Sequence, residues 1–167
     1  ILDGLLNNEV GKRIREQYAD TGGFTDHVFD VTSILGHRFI PRIRDLPSKR
    51  LYVFEPKAVP PNLRGLAGGT IRENLIASNW PDILRIAATM TAGTVAPSQI
   101  LRKLASYPRQ NDLAVALREV GRVERTLFMI EWVLNTDMQR RVQIGLNKGE
   151  AHHALKNALR IGRQGEI

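Results

Sequence analysis

Residues 14–35 read IREQYADTGGFTDHVFDVTSIL, and this stretch decides the fold. From Ile14 to Ala19 apolar and polar residues alternate, the period of a strand. Asp20-Thr21-Gly22-Gly23 is a turn signal. Thr25 stands where a helix cap belongs. Val28, Val31, Ile34 and Leu35 then share one face of a helix from Asp26 to about Leu35, which Gly36 stops. A second strand follows over Arg38–Ile43, with Pro41 suited to an edge or a bulge, and Lys49–Phe54 reads as a third.

Outward from this strand–helix–strand piece the character changes. Residues 1–8 look like the end of a helix. Residues 55–69 hold Pro56, Pro60, Pro61, Gly65, Gly68 and Gly69 and read as a loop or hinge. Everything after residue 70 reads as helix. Asn79 caps one with Pro81 in its first turn, Ile83, Ile86, Ala87 and Met90 as its stripe and Gly93 as its stop. A shorter helix spans Pro97–Ser106. Asn111 caps the longest, Asp112–Leu134, with Leu113, Leu117, Val120, Leu127, Ile130 and Leu134 facing inward. Another runs from Thr136 to Leu146, and a last one starts at Asn147, where Asn147 and Glu150 have capping-box spacing. The pattern is α+β and predominantly helical.

Composition narrows the chemistry. The chain has 167 residues and no cysteine, which excludes a disulfide framework, a thiolate metal site and a cysteine nucleophile. No apolar run reaches the roughly 20 residues of a membrane span. The chain begins at Ile1 and reads as a piece of a longer protein. Net charge is +7, unevenly spread: residues 1–37 hold three basic residues against six acidic ones, so the remainder carries +10. Arginine dominates that excess, and guanidinium groups suit phosphate. An acidic island beside a basic field is what a metal-dependent nuclease-like site needs, although a merely solvated surface has the same net charge.

Few side chains are placed for catalysis. Asp20 ends a strand at a Gly-Gly turn and can project into a cleft; alternatively it bonds its own turn backbone. Asp26 suits the first turn of its helix, and with His27 it makes only a weak metal pair. His152 and His153 are adjacent, about 100° apart on a helix, and cannot form the i, i+4 pair of a helical zinc site. Ser98 and Ser106 have no His–Asp context, and neither a Walker A sequence nor a dinucleotide fingerprint is present. Arg102, Lys103 and Arg109 bracket the short helix. Arg118, Arg122 and Arg125 recur along one face of the long helix, opposite the apolar stripe. Both sets, with Lys148, are candidate DNA-phosphate contacts. The alternative for the long helix is a salt-bridged surface, with Glu119 and Glu124 as partners.

Four segments carry a resemblance: residues 18–29 (YADTGGFTDHVF), 36–46 (GHRFIPRIRDL), 100–111 (ILRKLASYPRQN) and 145–151 (GLNKGEA). Together they resemble the Tn-three family of replicative transposases, over essentially the whole chain and in order. The resemblance implies the C-terminal catalytic domain of a DDE transposase: part of an RNase H-like core with a large all-helical insertion. Residues 1–54 would be partial core bearing Asp20, 55–70 a linker, 71–146 the insertion, and 147–167 a core helix bearing Glu150. Asp20 matches the family's second acidic position and Glu150 the last. The first lies upstream of Ile1, and Asp3 is left unassigned. His152-His153 departs from the Arg-Asn-like pair of relatives.

The resemblance further implies two Mg²⁺ (or Mn²⁺) ions held by carboxylates, nicking at the 3′ ends of a transposon and strand transfer to target DNA. It also implies a homodimer in the full-length protein, no membrane, and a bacterial, cytoplasmic, DNA-associated setting. The 167-residue piece, lacking one acid, is expected to be inactive alone. Two other readings stay open: a non-catalytic DNA-binding or assembly module, and a helical protein-interaction domain.

Overall fold

β1 (Glu16–Ala19) and β2 (Arg38–Pro41) pair in parallel, Glu16 opposite Arg38 and Ala19 opposite Pro41. A 3₁₀ turn (Thr21–Gly23) and α1 (Asp26–Ile34) carry the chain from one strand to the next, a βαβ unit. The computed structural model describes Ile14 and residues 16–106 and 111–159. The expected helix end at residues 1–8, Asp3 and Arg109 lie outside the described residues. α1 stops as its sequence requires: Gly36 takes φ +72, and its N–H closes onto the Ser33 carbonyl.

The proline- and glycine-rich stretch differs from the expected loop. Its last residues form β4 (Ala67–Thr70), which pairs in parallel with β3 (Leu51–Val53) after two 3₁₀ turns, Pro56–Ala58 and Pro61–Leu66. Two glycines make the strand possible, since a Cβ on Gly68 would fall 2.3 Å from Arg50 Cβ and one on Gly69 3.1 Å from the Tyr52 ring.

Four helices follow: α2 (Glu73–Thr91), α3 (Pro97–Ser106), α4 (Asp112–Leu134) and α5 (Thr136–Leu159). α2 begins before the expected Asn79 cap. Pro81 lies inside the helix, and the Asn79 amide donates to the Leu75 carbonyl at 2.9 Å instead of capping. Asn111 does cap α4, accepting from Leu113 N–H at 3.0 Å. α5 runs unbroken through the expected boundary at Asn147, whose side chain accepts from Gln143 one turn back at 2.8 Å. Local capping-box spacing loses there to the continuing helix.

The orientation of α4 corrects the expected stripe. Leu117 is buried, but Leu127, Ile130 and Leu134 are 57%, 44% and 79% exposed. The helix turns Ala114, Ala116, Leu117, Gly121, Phe128, Met129 and Trp132 inward instead. The reason is the crossing of α1: a Cβ at Gly121 would fall 1.9 Å from the Asp26 carbonyl oxygen, so the two backbones touch at this glycine. Leu127 and Ile130 line a shallow apolar groove with Leu51, Val53, Leu63 and Leu66. The main core joins Phe29 of α1, Phe39, Ile40 and Ile43 of the β2 region, Phe128, Met129 and Trp132 of α4, and Met138 and Val142 of α5. A second core joins Ile83 of α2 to Ala114, Ala116 and Leu117 of α4.

Candidate active site

Asp20 is the first residue past β1, extended at φ −73°, ψ 169°. Its Oδ1 accepts from Thr21 N–H at 2.7 Å and caps the 3₁₀ turn, the turn role weighed for it from sequence. Two arginines share the same carboxylate. Arg42 Nη2 donates to Oδ1 at 3.0 Å, and Arg44 Nη2 lies 3.6 Å from Oδ2. The Thr21 N–H, with both guanidinium groups adding, holds the carboxyl below its ordinary range. The side chain stays 59% exposed, open to an incoming ligand.

The sheet determines why Arg42 is there. Pro41 ends β2 opposite Ala19, and Arg42 N–H then donates to the Ala19 carbonyl at 2.8 Å, so position 42 falls beside position 20. Sequence reasoning assigned no role to Arg42 or Arg44. Their alternation about the buried Ile43, on an extended segment leaving a strand, was the available signal.

α5 lies along β1. Arg141 Nη2 is 3.9 Å from Glu16 Oε1, and a Cβ at Gly145 would fall 2.5 Å from Tyr18 Cδ2. Glu16 also pairs with Arg38, which reaches Glu131 of α4, and accepts from the Tyr18 hydroxyl at 2.8 Å. Residues 147–158 of the helix are exposed, and Glu150 and Lys148 stand on this part. Asp20 and Glu150 offer the hard oxygen donors that Mg²⁺ takes. No group of three His, Asp or Glu side chains positioned to hold a metal ion occurs among the described residues. A carboxylate is the donor type a divalent ion takes, and that of Asp20 is here shared by Arg42 and Arg44.

The basic candidates divide. Arg102 and Lys103 are exposed on α3. Arg122 and Arg125 are only 21% and 15% exposed, and both pair with Asp26, at 3.5 and 2.5 Å. Arg122 also holds the fully buried Glu119 at 2.8 Å, a carboxylate that Arg72 clamps from the start of α2 at 3.1 Å. Both arginines stack over Tyr52, at 4.5 and 4.8 Å from the ring centroid. Arg118 is half-buried, its Nε enclosed without a hydrogen-bond partner. The expected solvent-facing arginine row thus faces α1 and β3, because the Gly121 contact rotates α4. Alongside lies His27, 3.5 Å from the fully buried Asp30, whose carboxyl burial raises to about 7.

A family model described as the Tn3 transposase DDE domain matches residues 1–167. The transposase for transposon Tn501 of Pseudomonas aeruginosa is 54% identical over the whole chain, and that for Tn21 of Escherichia coli 52%. The transposase for Tn1546 of Enterococcus faecium is 44% identical over the same span. The chain covers 17% of the length of each of these relatives. No solved structure matches it.

Proposed function

The chain belongs to the Tn3 transposase DDE domain family, and from that premise we propose that it supplies Asp20 and Glu150 to the phosphoryl-transfer site of a replicative DNA transposase. The observation that carries this reading is the course of α5 beside β1. Glu16 meets Arg141 and Tyr18 meets Gly145, so strand and helix advance in the same direction. From Tyr18 to Asp20 the strand advances about 6.6 Å, and from Gly145 to Glu150 the helix advances about 7.5 Å. Continued at this pace, Glu150 comes level with Asp20 along the strand, about 140° round the helix from the Gly145 contact, so its side chain has to reach back toward the strand to share an ion.

Asp20 and Glu150 would hold the divalent ions, Mg²⁺ or Mn²⁺, with a further acid from elsewhere in the protein. When bound, such ions supply Lewis-acid stabilisation of an in-line displacement at phosphorus. The chain's own part is to fix the acids. The 3₁₀ turn orients Asp20 through Thr21 N–H, and the Tyr18–Gly145 contact sets how far along the strand Glu150 stands. Arg102, Lys103 and Lys148 are exposed cations free to meet DNA phosphates, contacts that position DNA without reading its sequence. In this reading the βαβ unit and α5 belong to an RNase H-like core and α2 to α4 to an insertion sharing that core. The reaction is 3′-end nicking and strand transfer in a homodimer, and this chain alone is inactive.

The test is cleavage of transposon-end DNA by the full-length protein. D20N and E150Q should each abolish nicking while DNA binding persists. Nicking that survives either change would overturn the assignment of that residue.

A further inference from the structure

We propose that Arg42 and Arg44 are phosphate-binding residues of the DNA site, held on the Asp20 carboxylate until a divalent cation displaces them. The proposal rests on the reading of Asp20 as a metal-holding acid. Its first support is placement. The hydrogen bond from Arg42 N–H to the Ala19 carbonyl fixes position 42 beside position 20. Ile43 is buried, so Arg42 and Arg44 emerge on the same, opposite side of the segment. Both reach one carboxylate, at 3.0 and 3.6 Å.

The second support is charge. A single carboxylate carries one negative charge, and here it faces two positive ones. A divalent cation on the same oxygens would leave four positive charges against one negative, so cation and guanidinium groups compete for Asp20. The released groups then need another anion within side-chain reach, and a DNA phosphate beside the ion provides one.

The third support is unused capacity. A guanidinium has five N–H donors and matches phosphate oxygens in a fork. Arg42 spends Nη2 on Asp20, while its buried Nε has no partner. Arg44 makes its one ion pair with Asp20 among the described residues and is 62% exposed, so its stem can swing. Cation and DNA binding are consequently coupled: each relieves the competition that the other meets, by the same factor in both directions.

The experiment uses the full-length protein. Mn²⁺ binding is read by the loss of its free paramagnetic signal, and binding of a short duplex of unrelated sequence is read in Ca²⁺ at several salt concentrations. R42Q/R44Q should bind Mn²⁺ several-fold more tightly without DNA. It should bind the duplex several-fold more weakly, with a salt slope shallower by about two. R42K/R44K should restore most of the duplex affinity, and equal thermal midpoints would show that all variants fold. Unchanged or weaker Mn²⁺ binding by the glutamine variant overturns the proposal, as does unchanged duplex binding. D20N separates the underlying reading: if it leaves Mn²⁺ affinity intact, Asp20 is not a metal-holding acid. If D20N loses Mn²⁺ and the glutamine variant gains none, the arginine proposal alone fails.

Discussion

Gly145 of α5 lies against the ring of Tyr18 on β1, so close that a Cβ there would come within 2.5 Å of Cδ2 and 3.0 Å of Cε2. The Tyr18 hydroxyl is tied to Glu16 at 2.8 Å, so the ring has little freedom to yield. A side chain at 145 must therefore push the helix off the strand. G145V should destabilise the chain by about 1–3 kcal/mol, read from urea midpoints. It should also weaken Mn²⁺ binding by the full-length protein, because Glu150 moves with the helix. A G145V protein of unchanged stability would mean that α5 does not dock on β1.

A sharper contrast separates two other glycines. At Gly121 an added Cβ meets the Asp26 backbone, 1.9 Å from its oxygen and 2.7 Å from its carbon, and no rotamer change relieves that. G121A should cost about 3 kcal/mol. Gly149 has nothing within 4 Å of the same position and lies in an exposed helix interior. G149A should stabilise by about 0.5–1 kcal/mol through helix propensity. Equal effects in denaturant unfolding would contradict the α1–α4 contact.

The buried pair on α1 gives a pH dependence. Burial raises the Asp30 carboxyl to about 7 from 3.8, so the folded chain keeps a proton that the unfolded chain has shed. Asp30 therefore subtracts stability progressively as pH rises from about 4 to about 7. The Asp30 carboxyl, 3.5 Å away, raises His27 above its ordinary value, so the contribution of His27 is complete below 6.5 and lost as pH climbs through the folded value. Asp26 and Arg118 are the other charged groups facing His27, the first favouring and the second opposing its protonation. Titrating as one unit, the pair binds more protons in the folded chain than in the unfolded one, which makes the chain more stable at about pH 5 than at about pH 8. D30N should flatten that difference in urea midpoint; an unaltered slope would show that other groups set it.

Arg122 and Arg125 show where sequence legibility ends. Their spacing gave a face of α4, and it is one face. Periodicity alone does not say which face meets solvent, and the answer depended on Gly121, one small residue that admits α1. The βαβ unit was legible because alternation and turn agreed over residues 14–41, although the Thr25 side chain makes no capping hydrogen bond, and the Asp20 position followed from them. β4 was not, since Ala67–Thr70 has the composition of a loop and becomes a strand only through Arg50 and Tyr52 across the pair. The Asn147 boundary misled because capping-box spacing also occurs inside long helices.

That packing yields a prediction about DNA. R122A leaves Glu119 buried with Arg72 as its remaining partner, and R125A strips Asp26 of its nearest cation. Each should lower stability by about 2 kcal/mol. Replacing the exposed Arg102, Lys103 and Lys148 should leave the stability within about 0.5 kcal/mol and weaken DNA binding. If the α4 variants stay fully stable yet lose DNA affinity with a shallower salt slope, their arginines contact DNA.

The absence of cysteine allows a direct measurement of the Asp20–Glu150 separation. A D20C/E150C chain would carry a single thiol pair, and a short bis-maleimide should bridge it within one molecule if strand and helix keep pace beyond Tyr18 and Gly145. E16C/R141C is the positive control, since the native side chains of that pair meet at their tips, Nη2 to Oε1 at 3.9 Å, within the span of a bis-maleimide. A pair of D20C with K156C is the negative control: Lys156 lies six residues further along α5, about 9 Å more. Bridging of the control at 16 and 141 without bridging of 20 and 150 would show that the strand turns away at the 3₁₀ turn before reaching the glutamate. Asp20 and Glu150 could then share no ion. Bridging at 20 and 150 but not at 20 and 156 would establish the separation that a shared phosphoryl-transfer site requires.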